Sequence, residues 1–215
     1  MQHLRIKFCR GEEIKFISHL DIMRLWQRAI NRAGMQLLYS EGFNPHPRMS
    51  LAAPLALGVT SEAELMDIVL ARWSSPHSFT DTIGRQLPRG ITVIQVYSTP
   101  ENIPSLQSQV QYAEYQVELE TEKKPEDIEE AIAFMLAKHN LLWQHQRDTG
   151  FRRYDLRPLI DDIKFIDLSS RYCTIGMKLR CSSSGSGRPE QVTAALGFEN
   201  YPKLIHRTKL ILKTS

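Results

Sequence analysis

The sequence predicts an α+β protein built from two ferredoxin-like halves, each with the split βαβ order and with helices packed on one face of an antiparallel sheet. Two observations predict this fold. Strand-type and helix-type hydrophobic periodicity alternate in nearly the same order twice along the chain, and a polar segment with two prolines separates the two passes. The predicted division is a first half at residues 1–99, a linker at 100–109 and a second half at 110–215.

The first pass has the order β-α-β-β-α-β with one additional hairpin strand. Strand-type patterns are expected at residues 3–9, 35–39, 49–57, 64–71 and 91–97, and helix-type patterns at residues 18–33 and 76–87. Pro76 suits the first turn of the second helix, where its missing amide hydrogen costs nothing.

The second pass repeats this order approximately. Strands are expected at residues 112–120, 141–147, 165–168, 171–181 and 205–212, and helices at residues 125–138 and 189–196. Identity between the two passes is faint, so one continuous α+β domain is the alternative to two halves.

The composition is that of an ordinary globular protein, with 42% hydrophobic and 24% charged residues. No apolar run approaches the roughly 20 residues that cross a bilayer, and the first residues have the pattern of a strand rather than a signal peptide. We therefore expect a cytoplasmic protein without a membrane partner. Cys9, Cys173 and Cys181 lack metal-ligand spacing, so neither a metal nor a cofactor is expected.

The net charge of +3 conceals an uneven distribution. Residues 1–48 contain eight Lys and Arg against four Asp and Glu, and residues 150–215 contain twelve against six, whereas residues 49–149 contain seven against fourteen. Two basic ends favour an anionic partner such as nucleic acid. An unevenly charged, solvated surface is the alternative.

The helix expected at residues 18–33 carries a row of arginines. Ser18 and Asp21 fit a capping box at its start, and Gly34 suits the position after its end. The arginines follow one another at intervals of four residues, so they lie on one side of the helix over about 12 Å. They are Arg24, Arg28 and Arg32. Such a row can follow a phosphate backbone, and a solvated helix face is the alternative.

The segment G-F-N-P-H-P-R, residues 42–48, is unusually stiff for a loop, because each proline fixes its own φ and restricts the residue before it. In a ferredoxin-like half the second strand runs back along the first helix, so the loop is expected near the start of that helix. The polar residues expected to converge there on an anion are Ser18, His19, Asn44, His46 and Arg48. Phe43 is expected to anchor the loop in the core. A purely structural proline corner is the alternative.

Two segments of the second half also have features of anion sites. In F-R-R-Y-D-L-R-P, residues 151–158, Arg152, Arg153 and Arg157 are interleaved with aromatic residues, which suits single-stranded RNA or, equally, a packed strand. In S-S-S-G-S-G-R-P-E, residues 182–190, small residues and Arg188 precede a helix start and could cradle a phosphate. A hairpin connection is the alternative there.

Several longer motifs together resemble a known family. They are F-I-S-H-L-D, the arginine row, Y-S-E-G-F-N-P-H-P-R-M-S, P-L-A-L-G-V-T-S-E, D-L-R-P-L-I and G-R-P-E-Q-V. This combination resembles the radical-SAM-associated domain family of unassigned function, whose members occur as separate chains or fused behind B12-binding-type radical SAM proteins. The resemblance implies a radical SAM protein as partner and carries over no catalytic residues. The sequence has no C-x-x-x-C-x-x-C motif, so it looks like the separate accessory domain.

Three functions are compatible with these features. The leading expectation is an accessory protein that binds RNA or presents a substrate to a radical SAM enzyme in RNA modification, without catalysis of its own. The second is a metal-independent ribonuclease or RNA-modifying enzyme that uses His19 and His46 as acid and base. The third is a protein-protein scaffold.

Overall fold

The computed structural model describes residues 1–147, 150–182 and 184–213, without the side chains of residues 145–147 and 152. These residues form a mixed α+β fold of helices and mainly antiparallel strands. The chain divides into two compact units. Unit 1 comprises Met1–Val110 and the end of the chain from Leu212, and unit 2 comprises Gln111–Ile211.

Unit 1 has a four-stranded antiparallel sheet and two longer helices. Its elements are β1 (Gln2–Arg10), α1 (His19–Arg32), β2 (Met49–Leu51), β3 (Thr60–Leu70), α2 (Pro76–Gly84), β4 (Ile91–Ser98) and the short α3 (Leu106–Gln109). β1 pairs with both β3 and β4, and β2 pairs with β3, which gives the order β4-β1-β3-β2.

Alternation along β1 places its apolar side chains on one face of this sheet. Leu4, Ile6 and Phe8 are fully buried and share a core with Ile22, Trp26, Ala29 and Ile30 of α1 and with Phe79 and Ile83 of α2. The rings of Phe8 and Trp26 meet edge to face at 5.0 Å. Both helices therefore cover the same face of the sheet.

Local capping sets the ends of α1, as the sequence predicts. The Ser18 hydroxyl accepts a hydrogen bond from the Asp21 amide at 3.2 Å. Beyond Arg32 the chain turns at Gly34, whose φ of +70° is unstrained only for glycine, and the Met35 amide donates to the Ile30 carbonyl.

The opposite face of the unit 1 sheet carries a buried ion pair. Arg5 faces Asp67 across β1 and β3 and donates two hydrogen bonds to its carboxylate, at 2.7 and 2.9 Å. The expected linker at 100–109 contributes to this face, because it ends in α3 with Leu106 buried. Gln109 accepts from Arg5 and, through its carbonyl, from the Lys213 amide.

Two expected strands of unit 1 are shorter than predicted. The segment 49–57 is paired as a strand only to Leu51, since Pro54 has no amide hydrogen for a ladder. Residues 35–39 form only the isolated bridges Leu37 to Leu70 and Tyr39 to Pro47. The other expected elements of unit 1 are confirmed to within four residues.

Unit 2 is also built on strands in antiparallel pairs. Its elements are β5 (Val110–Glu120), α4 (Pro125–Ala137), β6 (Leu142–Arg147), β7 (Gly150–Asp155), β8 (Ile160–Ser169), β9 (Tyr172–Ser182), β10 (Gly185–Ser186), α5 (Pro189–Ala195) and β11 (Leu204–Leu212). The order is β11-β5-β9-β8, with β10 also on β9, and β6 and β7 form a separate two-stranded ribbon.

The core of unit 2 follows from the register of β5 and β9. Val117 faces Ile175 and Ala113 faces Leu179, and all four side chains are buried. On α4 the buried residues Ile128, Ile132 and Met135 repeat at helical spacing. The two units thus each bury one apolar face of an antiparallel sheet.

Candidate nucleic-acid interface

The arginine row lines a groove on the helical side of unit 1. The groove has a volume of about 580 Å³ and lies between α1 and residues 86–88, which follow α2. Arg24, Arg28 and Arg32 are exposed along one wall, and Gln86, Leu87 and Pro88 form the other. Leu25 and Ile17 supply apolar surface at its base. The groove therefore combines cationic and apolar lining.

Most guanidinium donors of this row have no hydrogen-bond acceptor among the described residues. Arg24 donates to the Asp21 carboxylate at 3.1 Å, and Arg32 donates to the Gln86 carbonyl at 2.7 Å. Within the described part of the chain, Arg28 makes no hydrogen bond or ion pair. Hydrogen bonds from Ser18 and then from Arg24 hold the pKa of Asp21 below its usual range, so this carboxylate is ionised at neutral pH. One carboxylate beside three arginines leaves the groove positive.

Two further arginines flank the second wall, and the sequence analysis missed them. Arg85 and Arg89 enclose Gln86, Leu87 and Pro88 and are both exposed. The available signal was R-Q-L-P-R at the end of an expected helix. Whether these two arginines lie beside the groove depends on which segment packs against α1, and helical periodicity does not reveal that packing.

The stiff loop is closed at its base by the backbone. The Ser40 amide donates to the His46 carbonyl at 2.8 Å, and the His46 amide donates to the Ser40 hydroxyl at 3.0 Å. Gln27 of α1 donates to the Tyr39 hydroxyl at 3.1 Å, which ties the loop to the middle of the helix. Residues 41–46 are all exposed.

The expectation that Phe43 anchors this loop in the core is wrong. Its side chain is 102% exposed, as open to solvent as in an extended peptide. The physical reason is that the contacts at residues 39, 40, 46 and 47 close the loop without an apolar anchor.

The polar residues expected to converge have different surroundings. His19 lies in the first turn of α1 with its Nδ1 atom buried and, among the described residues, without a hydrogen-bond partner. Asn44 and His46 are exposed on the loop. No hydrogen bond among the described residues links them to His19 or Ser18, so their convergence stays a prediction.

Arg48 lines a different cleft from the arginine row. The cleft, of about 300 Å³, also includes His3 and Asp67, which lie on the face of the sheet opposite α1. The alternation of β2 explains this placement, because Met49 and Leu51 point into the helix-side core and Arg48 points the other way. Arg48 and the arginine row therefore do not form one site.

In unit 2, the arginines that were predicted to bind an anion make different contacts from one another. Arg153 is exposed and donates to Gln144 across the β6-β7 ribbon at 3.0 Å. The side chain of Arg152 lies outside the described residues. Arg157 donates to three backbone carbonyls, those of Leu136, Lys138 and Ile160, at 2.7 to 3.1 Å. Arg157 thus holds the end of α4, a structural role that the sequence did not predict.

The serine-rich segment before α5 forms a hairpin. Ser182 pairs with Gly185 and Cys181 with Ser186, so β9 turns directly into β10, as the alternative for this segment predicts. Ser183 lies outside the described residues. Arg188 is exposed at the start of α5, and its guanidinium lies 4.0 Å from the Glu190 carboxylate.

Metal ligands do not cluster in the parts of the chain that the structure covers. No group of three or more His, Cys, Asp or Glu side chains there has the proximity needed to hold a metal ion. Within the same residues, every helix is too short or too polar to cross a bilayer.

The fold and the groove define an α+β protein with an arginine-lined surface in its first unit. The chain belongs to the family described as "Uncharacterized protein conserved in bacteria (DUF2344)", whose model matches residues 3–189. That description names no activity. No curated protein sequence matches the chain.

Two solved structures share the arrangement of the backbone. A structure titled "Crystal Structure of a Cbf5-Nop10-Gar1 Complex" matches with a TM-score of 0.54 at 9% identity, over 96% of this chain and 48% of that chain. A second, of "the archaeal box H/ACA sRNP Nop10-Cbf5 complex", matches with a TM-score of 0.50 at 9% identity, over 98% and 48%. This chain spans about half the length of those chains, and at such identity the likeness concerns the fold alone.

Proposed function

We propose that this protein is an accessory RNA-binding protein that presents RNA to a radical SAM enzyme. The observation that carries the RNA part is the groove between α1 and residues 86–88, with three arginines on one wall and two more beside the other. Guanidinium groups bind phosphate oxygens through paired, charge-assisted hydrogen bonds, which suits them to a nucleic-acid backbone.

The state of the arginines supports binding rather than structure. Arg28 makes no hydrogen bond or ion pair among the described residues, and Arg24 and Arg32 each make one hydrogen bond there. Like charges four residues apart repel one another, so an anion that enters the groove relieves that repulsion. Successive arginines are about 6 Å apart along the helix axis, which spaces them along a strand rather than around one phosphate.

We also propose that both units are ferredoxin-like halves. When the β6-β7 ribbon and the short β10 are left out and the strands are renumbered within each unit, β4-β1-β3-β2 and β11-β5-β9-β8 have the same 4-1-3-2 order. Each unit then has the split βαβ succession. The likeness to the structure titled as an archaeal box H/ACA sRNP complex agrees with an RNA-related role in a general way. Neither point identifies an RNA.

The radical SAM partner rests on the resemblance of the sequence motifs to the radical-SAM-associated family. A chain with three cysteines and no C-x-x-x-C-x-x-C motif would leave the radical chemistry to its partner, and we place both proteins in the cytoplasm. A ribonuclease mechanism with His19 and His46 has less support. His19 lies in the first turn of α1, whereas the described contacts tie the loop of His46 to Gln27 in the middle of that helix.

RNA binding is tested with the triple variant Arg24→Ala, Arg28→Ala, Arg32→Ala in filter binding at several salt concentrations. Each phosphate contact to a single strand contributes about 0.7 to the slope of log affinity against log salt, so losing three lowers the slope by about 2. The matched control removes three exposed cations of unit 2, Arg171, Lys203 and Lys209, and should change the slope by less.

The outcomes separate the parts of the proposal. Wild-type protein that retains no RNA even at low salt refutes the RNA-binding function. Affinity purification of the tagged full chain from its own cells should recover a radical SAM protein, and recovery of RNA without that protein contradicts the partnership alone.

A further inference from the structure

We propose that Phe43 is a stacking platform for one unpaired base of the bound RNA. This inference rests on the proposed function and deepens it, since it names the substrate class as single-stranded RNA. The site is the tip of the loop closed by Ser40 and His46.

The exposure of Phe43 is the first support. A phenyl ring that is 102% exposed contributes no burial to the fold, although aromatic side chains are among the largest sources of burial energy in proteins. The residues around it, 41, 42 and 44–46, are exposed as well, so no described residue of unit 1 covers the ring. Its apolar surface is available to a partner.

The loop holds the ring in a restricted position. Gly42 has a φ of +127°, which lets the chain turn sharply directly before Phe43. Pro45 and Pro47 fix their own φ angles, and the Ser40 and His46 hydrogen bonds close the base. A platform restrained in this way loses little conformational entropy when it binds.

The position of the loop relative to the groove favours RNA. Gln27, which holds Tyr39, directly precedes Arg28 on α1, so the loop base and the arginine row lie on neighbouring sectors of one exposed helix face. A strand that crosses this face would place phosphates on the arginines and a base on Phe43. An apolar protein pocket would instead have to accept the ring together with polar neighbours such as Asn44 and His46.

The pairing state of the bases determines which class of RNA can stack on Phe43. In a duplex the bases are stacked on one another and paired, and their faces are closed to an aromatic side chain. Single strands offer every base face, and stacking on an aromatic residue is largely independent of sequence. We therefore expect preference for unpaired RNA and little discrimination among bases.

The experiment compares Phe43 variants of the full chain with a single-stranded oligoribonucleotide containing 2-aminopurine. Phe43→Ala should weaken binding by about 10-fold and reduce the fluorescence quenching that accompanies stacking. Phe43→Trp should retain both signals. Phe43→Leu keeps apolar volume without a π-face and should resemble Phe43→Ala. Phe16→Ala, at a 73% exposed phenylalanine of the same unit, is the control and should match the wild type.

An abasic oligonucleotide of equal length isolates the phosphates. Its binding should be unaffected by Phe43→Ala and weakened by the arginine triple variant. If the wild type binds the oligoribonucleotide but Phe43→Ala changes neither affinity nor quenching, the platform is refuted and the groove stands. Equal behaviour of Phe43→Leu and wild type also refutes stacking. A wild type that binds no RNA overturns both proposals.

Discussion

Replacing Asp67 by alanine should strongly destabilise unit 1. Arg5 is 7% exposed at its side chain and gives Asp67 two hydrogen bonds, of 2.7 and 2.9 Å. The hydrogen bonding of Arg5 to the Asp67 carboxylate, partly offset by burial, raises the pKa of Arg5 above its ordinary value. The guanidinium stays charged without Asp67, because its ordinary pKa is already far above neutrality. It would then be a buried cation with only weaker contacts to Gln109 and Tyr97.

The expected magnitude follows from that loss. Breaking a buried ion pair by removing one partner costs about 3 to 5 kcal/mol. Since Asp67 is itself 23% exposed and Gln109 remains as an acceptor, we expect about 3 kcal/mol, or more than a hundredfold in the folding equilibrium. Urea denaturation measures the loss of unfolding free energy, and hydrogen exchange of the β1 and β3 amides shows whether the loss is in unit 1.

The control is the exposed pair Arg171 and Glu120 in unit 2, whose side chains are 69% and 46% exposed. Glu120→Ala should cost about 0.5 kcal/mol or less. The double variant Arg5→Met, Asp67→Leu should recover part of the loss, because it removes the uncompensated charge. Equal effects of Asp67→Ala and Glu120→Ala would refute the reasoning.

Two further predictions concern helix ends. Ser18→Ala should cost about 1 kcal/mol through the lost cap of α1 and should raise the pKa of Asp21 towards its usual value, measured by NMR titration of the carboxyl. The folded pKa of Asp21 lies below its unfolded value. The contribution of this carboxylate to stability is therefore present above the unfolded pKa and disappears as the pH falls through the folded pKa. An unchanged Asp21 titration in Ser18→Ala would contradict the expected rise of the pKa. Arg157→Lys should destabilise the last turn of α4 by about 1 to 2 kcal/mol, since one ammonium cannot replace a guanidinium that reaches three carbonyls. Hydrogen exchange of the amides near Leu136 measures this loss, and exchange as slow as in the wild type would contradict the prediction.

The regular elements were predictable because their signals are local. The apolar stripe and caps of α1 predicted residues 18–33 against the observed His19–Arg32. The alternation of β1 predicted residues 3–9 against Gln2–Arg10. In both cases the side chains that define the element also determine which face is buried.

The candidate site was predictable only in part, because it depends on contacts distant in sequence. The arginine row follows from helical spacing, whereas the second wall at Gln86 depends on how α2 ends beside α1. Arg157 was expected at an anion, yet its acceptors Leu136 and Lys138 lie about twenty residues earlier in the chain. Phe43 was expected in the core, since an aromatic residue beside glycine and proline carries no sign of its exposure.

The way the chain returns to unit 1 has a consequence for its synthesis. Val110 leaves this unit and Leu212 re-enters it, and the Lys213 amide then bonds to the Gln109 carbonyl. Unit 1 therefore cannot complete its contacts while only its first 110 residues have left the ribosome, and it must wait for the whole intervening unit. A fragment cut after Val110 would lack that closing contact, so dissection of this protein is better done by substitution than by truncation.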